Sequence, residues 1–430
     1  MKFYNILILL SISLFFQPAL GIRPQAVSSL YHPIATVQQS KQALDFWQKR
    51  AEARPQESLT QIKLGQVYSQ LFDFTADISY LKKSEASYLK ALKSPLLDPA
   101  GVQRALAKNY ISQHRFCEAL DMVMLALEVG SNKRASTLML FDVYAELGFE
   151  EEQQAVLADL SQKKDFDYLI RWAKWEDGQG RLENTLVIMH EAEAIAEASK
   201  QPALLTWTYS NMGDYYGHAG DIAQSEAYYI KSLQQSPTDW YSLKGLAWIA
   251  YSYERDAPAA LAILKHISNH CKDPGVALLR AEIMEYKEDY TTAQRMRDDV
   301  EAQVSGPRYG RMYASFLVNY YIQTGHLSKS MDLAKAEVQQ RAVPVAYDML
   351  ARVYFAKNNI RQAQDISQIH IWHQTFEPGI LINQLRYFEG DPNPYILHIE
   401  EEVKGATYEL GPLAYHQLLM EQATPELASI

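Results

Sequence analysis

The stretch that decides the fold runs from Trp207 to Pro237 and reads WTYSNMGDYYGHAGDIAQSEAYYIKSLQQSP. Trp207, Tyr209, Met212, Gly213 and Tyr216 mark a first helix, Gly220 and Asp221 a turn, and Ser225, Tyr229 and Ser232 a second helix that Pro237 ends. Two antiparallel helices approach closely only where one presents a small side chain and the other a large one, so Gly213 is expected to face Tyr216 and Tyr229. Gly220 can take positive φ, and Asp221 can cap the helix behind it. Proline lacks an amide hydrogen and stops that helix.

Outward from this unit the same order recurs. Gly213, Ala247 and Ala281 stand 34 residues apart, and Ser225, Ala259 and Ala293 keep the same phase in the second helix. A period of about 34 residues with helix-turn-helix content resembles the tetratricopeptide repeat family. The resemblance implies an all-α fold, a right-handed superhelix or α-solenoid of about nine helix-turn-helix repeats with helical caps at both ends. No unit can bury its apolar face alone, so neighbours must stack.

Further units are expected on either side of the central three. The first carries Leu64, Gly65 and Tyr68, then Ser84, Tyr88 and Ala91; its link, Ser69 to Lys83, is longer than in the centre and reads as a rim insertion. The next units are marked by Leu106, Ala107, Tyr110 and Ala119, by Phe141, Tyr144, Gly148 and Leu157, and by Trp172, Ala173, Gly180 and Met189 with a long second helix from Leu182 to Ser199. Beyond the centre follow Phe316, Tyr320, Gly325 and Ala334, then Leu350, Ala351, Tyr354 and Ala363. The expected division is an export signal at 1–21, a capping helix within 22–57, repeats over 58–375 and a helical cap over 376–430. Three short helical stretches, Ile380 to Phe388, Tyr395 to Val403 and Leu413 to Glu421, make up that last part.

Composition bounds the function. A chain of 430 residues with 48% hydrophobic residues exceeds the size at which one globule normally splits, which a solenoid avoids because each unit packs only on its neighbours. The net charge of −10 excludes the basic footprint of a nucleic-acid binder. Lys2 followed by the apolar run Ile6 to Phe16 and then Ala19-Leu20-Gly21 reads as a cleaved signal, too short to span a bilayer, which places the mature chain in the periplasm or outside the cell. Cys117 and Cys271, the two cysteines, fall four repeats apart and read as buried, unpaired thiols.

Sequence patterns for catalysis are missing. There is no Gly-x-Ser-x-Gly, no cysteine-protease signature, no phosphate loop and no HExxH helix, so neither enzyme nor cofactor is expected. His266, His270 and Cys271 share one helix end with spacing that suits zinc or copper, although the helix dipole favours histidine there without a metal. His370 and His373 repeat the pattern.

In the family it resembles, first helices line a concave groove in which partners bind. Carried over by position, that groove holds Trp207, Asp214, His218, Tyr241, Lys244, Trp248, Tyr251, Glu282, Tyr286, Asn319 and Arg352. Trp248 and Tyr251 suit groove and core equally. The clamp that some members use for acidic chaperone C-termini is not reproduced, since Lys244 is followed one turn later by Trp248 and Asn319 is preceded by Ser315. The expected function is a non-enzymatic scaffold outside the cytoplasm that binds a protein or peptide, within an envelope complex or alone. The alternatives are a glycan-binding or glycan-processing protein, and a metal-handling accessory protein using His266, His270 and Cys271.

Overall fold

Gly65 and Gly213 show why the chain folds as it does. A Cβ at either would overlap an aromatic ring of the facing helix, Tyr88 at 2.4 Å and Tyr229 at 2.5 Å respectively. Tyr229 is wedged on its other side against Gly245 of the following unit, where a Cβ would come to 2.4 Å. One ring therefore joins two repeats. Tyr216, by contrast, leaves Gly213 and stacks on Tyr228, with ring centroids 5.3 Å apart.

The computed structural model describes residues 34–94 and 98–423. Residues 1–33, 95–97 and 424–430 lie outside the described residues, and with them the export signal expected at 1–21 and the start of the first cap. Among the described residues there are 22 α-helices and no strand. Helix α1 (Ile34–Ala53) precedes nine hairpins. They are α2 (Ser58–Thr75) with α3 (Ile78–Leu92), α4 (Ala100–Ser112) with α5 (Phe116–Val129), and α6 (Lys133–Leu147) with α7 (Glu150–Leu160). Then come α8 (Phe166–Gly178) with α9 (Leu182–Ser199), α10 (Pro202–His218) with α11 (Ile222–Gln235), and α12 (Trp240–Trp248) with α13 (Ala257–Ser268). The last three are α14 (Pro274–Tyr286) with α15 (Tyr290–Val304), α16 (Ala314–Gln323) with α17 (Leu327–Gln340), and α18 (Pro344–Ala356) with α19 (Ile360–His370). A further pair, α20 (Pro378–Tyr387) and α21 (Pro394–Gly405), is followed by α22 (Thr407–Ala423).

Every one of the nine hairpins turns on a single residue with positive φ. Four are glycines, Gly148, Gly180, Gly220 and Gly325, and the others are Ala76, His114, Arg255, Glu288 and Asn358. Asp or Asn next in sequence then caps the second helix in five units: Asp77, Asp221, Asp256, Asp289 and Asn359 each accept a backbone N–H two or three residues on. Inside the hairpins, buried hydroxyls tie second helix to first. Ser225 Oγ donates to the Gly213 carbonyl at 2.6 Å, Ser330 to Val318 at 2.9 Å and Ser84 to Gly65 at 2.9 Å.

The long link in the first unit is not a rim loop. Ser69 to Thr75 extend α2 and Ile78 begins α3, so the extra residues lengthen both helices. The added turn has a use in packing, because it touches the next turn of the superhelix. Phe74 O accepts from Trp240 Nε1 at 2.6 Å, Thr75 O from Lys272 N at 2.7 Å, and Asp77 pairs with Lys272 at 2.8 Å. Further along the same seam Glu146 pairs with Arg341 at 3.3 Å, and Gly148 and Gly180 lie where a Cβ would touch Val343 and Phe376. These contacts join units about five hairpins apart, so successive turns of the superhelix rest on one another. Cys117 is exposed on this seam rather than buried, Cys271 is buried, and both are free thiols.

One hairpin departs from the regular build. The turn residues Gly220, Arg255 and Glu288 are spaced 35 and then 33, although Gly213, Ala247 and Ala281 keep 34. The extra residue lies in the first helix, which continues beyond Trp248 as a π-helical turn, Ile249–Tyr253. A wide turn of this kind swallows an inserted residue without breaking the helix.

Candidate functional site

The first helices α10, α12, α14, α16 and α18 form the inner wall, and the eleven expected groove residues fall on them. The structure divides them into two sets. Trp207 and Tyr241 face open space, 38% and 50% exposed, along a cavity of about 600 Å³ that Ser210, Asn211 and Asp239 also line. Asp214 ties this part together by accepting from Tyr229 Oη at 2.5 Å and from Tyr241 Oη. Burial pushes the Asp214 carboxyl up, the two phenols and His218 opposing it, and burial raises both phenols. Lys244 extends over the Tyr241 ring at 6.0 Å and reaches Asp273 at 3.8 Å.

The second set lies under the chain's own C-terminal helix. The tail does not simply cap the end of the stack. Its first two helices, α20 and α21, pack there around Leu381, Tyr387, Ile396 and Ile399, but α22 then turns inward and runs along the wall. It is bent at Gly411, with φ 75°, just ahead of Pro412. Tyr408 O accepts from Trp248 Nε1 at 3.0 Å and from Ser252 Oγ at 2.6 Å. Both donors come from the π-turn region, so the inserted residue of α12 sets the geometry that receives the tail. A Cβ at Gly217 would come to 3.0 Å from the Tyr408 ring, and one at Gly411 to 2.7 Å from Trp248.

Under this helix Tyr251 is fully buried and meets Tyr286 edge-on at 5.5 Å. Groove and core are thus the same place for Tyr251. Glu282 lies beside it, and burial pushes its carboxyl up to about 7 against the pull of Tyr251 and Arg297. His218 Nε2 stands 3.9 Å from Glu409 of α22. Burial raises Glu409, and the charges of Glu377 and Asp177 add to the rise while His218 opposes it. Farther along, Arg352 holds Asn319 at 2.9 Å and the buried Asp348 at 2.9 Å, and Asp348 also accepts from Asn383 at 3.1 Å. Two cavities flank α22, one of about 930 Å³ beside Asn319, Arg352, Asn383 and Gln417 and one of about 290 Å³ beside Glu282, Glu285 and Leu413.

The histidine clusters serve packing. His270 stacks on Trp240 with the rings 3° from parallel, His266 tilts against His270 at 5.2 Å, and burial pushes the Cys271 thiol up to about 11, away from the thiolate that a metal needs. His370 stacks on Tyr347 at 3.8 Å and His373 lies over Tyr395 at 4.0 Å. Among the described residues no three His, Cys, Asp or Glu side chains are grouped as a metal site requires. Among the same residues no helix is long and apolar enough to cross a membrane.

Ser252, Tyr408, Glu409 and Gly411 belong to the site and were not singled out in the sequence. The turn spacing of 35 then 33 marks the π-turn that carries Ser252. Nothing local in Thr407 to Pro412 says that the chain turns inward.

Residues 208–239, the second half of α10 with α11, match the family model described as tetratricopeptide repeat. No curated protein matches the chain. Solved structures that resemble it include a tetratricopeptide repeat protein from Parabacteroides merdae, 11% identical over 72% of this chain and 98% of that one with a TM-score of 0.34. The Cut9–Hcn1 hetero-tetramer of the APC/C is 14% identical over 93% and 96%, with a TM-score of 0.32. Yeast Tom70 is 13% identical over 93% and 88%, with a TM-score of 0.34. The matched unit is the fifth of nine hairpins that share one turn design and one helix-pair order, and the match shows a tetratricopeptide repeat at residues 208–239.

Proposed function

We propose that the chain is a non-enzymatic scaffold that binds a polypeptide segment along its inner wall, outside the cytoplasm. The observation that carries this is the open stretch of wall at Trp207 and Tyr241, where two half-exposed aromatic rings border a cavity of about 600 Å³ beside Asn211, Asp239 and Gln235. Aromatic anchors next to hydrogen-bonding groups are the composition of protein recognition surfaces, and few other contacts supply as much binding energy per residue. The repeat fold serves the same end, because stacking leaves one continuous concave face for a ligand.

Affinity capture from the producing cells with the intact chain and with a Trp207→Ala, Tyr241→Ala variant tests the reading. The expected outcome is a bound polypeptide that the variant loses while its circular-dichroism melting curve stays within a few degrees. Capture of the same set by both would contradict it. The placement outside the cytoplasm rests on the first 21 residues; N-terminal sequencing of the mature protein should begin near Ile22, and a retained Met1 would contradict it.

A further inference from the structure

We infer that the wall under α22 is the seat of a partner's amphipathic helix, that α22 occupies this seat as a displaceable stand-in, and that the partner carries a cation where this chain has Glu409. This rests on the reading of the inner wall as a polypeptide-binding surface and names the ligand chemistry of its covered part.

The seat recognises a helix end in a way that does not depend on this chain's own sequence. Trp248 and Ser252 donate to a backbone carbonyl, that of Tyr408, and the missing side chain of Gly217 leaves a notch for one aromatic ring. Any segment offering an aromatic residue with a free carbonyl at that point satisfies the same donors. The two donors sit at a π-turn produced by one inserted residue, and Ile249, Ala250 and Tyr251 of that turn are buried in the core of the hairpin.

The present occupant fits this seat imperfectly in charge and in volume. Glu409 of α22 lies near enough to Asp177 of α8 and Glu377 ahead of α20 to feel both charges. His218 Nε2 faces it 3.9 Å away and is 45% exposed, while Lys244 works on Asp214 instead. The carboxylates of Glu409, Asp177 and Glu377 repel one another, and a lysine or arginine in place of Glu409 would turn that repulsion into attraction. Cavities of about 930 Å³ and 290 Å³ run along the flanks of α22, so larger side chains would gain contacts that the tail does not make. A ligand with better complementarity displaces the tail by its differential affinity, and the tail reduces the apparent affinity of every weaker competitor.

Fluorescence anisotropy with two labelled peptides tests this: residues 405–423 of the chain, and the same peptide with Glu409→Lys. The receptors are the full chain, a full-chain Tyr408→Ala, Leu410→Ala variant whose own tail is loosened, and that variant with Trp248→Ala added. Both peptides are expected to bind the loosened chain about tenfold more tightly than the wild type, because the competing tail no longer holds the seat. The Glu409→Lys peptide is expected to bind about fivefold more tightly than its parent, an advantage that shrinks in high salt. Adding Trp248→Ala should weaken both about tenfold. Melting curves by circular dichroism confirm that the receptors stay folded. Equal affinity of the two peptides would overturn the ligand chemistry and leave the scaffold reading intact. Binding to neither receptor, or binding indifferent to Trp248→Ala, would overturn the seat itself, whereas the scaffold reading falls only with the capture at Trp207 and Tyr241.

Discussion

The wall at Trp207 and Tyr241 and the wall at Trp248 and Tyr251 are built from adjacent repeats, yet one is open and the other is filled. In the open part the charged groups have partners within the wall: Asp214 takes two phenol hydroxyls, and Lys244 lies over Tyr241 and reaches Asp273. In the filled part the partner is supplied by α22, and the buried acids Glu282 and Glu409 have little to offset their burial. A repeat fold thus fixes where a wall stands, and single residues decide whether it stays free. Here one inserted residue after Ala247 and one missing side chain at Gly217 make the difference.

The largest effect is expected where both walls depend on one ring. Tyr229→Ala empties the wedge between Gly213 and Gly245, and should cost about 3–5 kcal/mol of folding stability in urea unfolding, disturbing open and filled parts alike. Trp248→Ala should separate them. It removes one hydrogen bond and most of the contact with Gly411, so chymotrypsin cleavage after Tyr408, Leu410 or Tyr415 should rise about tenfold while cleavage in α10 and α11 is unchanged. Equal acceleration in both places would break the comparison.

The pH dependence is a subtler means of sharpening it. Glu282, covered by α22, is raised from an ordinary 4.5 to about 7, burial being the chief cause, with Tyr251 and Arg297 opposing and Glu285 reinforcing. The docked state therefore binds a proton that the released state gives up between these values. Docking is strongest below about 4.5, weakens as pH rises to about 7 and levels off above it. Hydrogen exchange of α22 should rise over that window in the wild type and rise less in Glu282→Gln, where Glu409, also raised by burial, still titrates. The smallest effect is expected at the open wall, where Trp207→Ala should change stability by less than about 1 kcal/mol in the same urea assay while abolishing capture of the partner.

Much of the fold was legible because packing repeats itself. Gly213, Ala247 and Ala281 gave the phase of the first helices, Ser225 the phase of the second, and the long helix Leu182–Ser199 has the bounds that its spacing implies. Turns were legible only where glycine marks them. Ala76, His114, Arg255 and Glu288 take the same left-handed conformation without a residue type that announces it, since the hairpin imposes it on whatever stands there. A lengthened α2 and a loop insertion look alike in sequence, since extra residues read the same whether they extend a helix or leave it. The groove residues were assigned by position, but the stacking of successive superhelical turns and the inward turn of α22 come from contacts nearly two hundred residues apart, such as Asp77 with Lys272 and Gly217 with Tyr408. Local periodicity carries no record of such distant pairs.

Hydrogen–deuterium exchange on the wild-type chain at pH 6 tests the occupied wall most directly. If α22 lies on Trp248 and Ser252, the amides of residues 408–415 exchange many-fold more slowly than those of a free peptide of the same sequence, and Trp248→Ala removes that protection. Exchange at the free-peptide rate in the wild type would contradict the account.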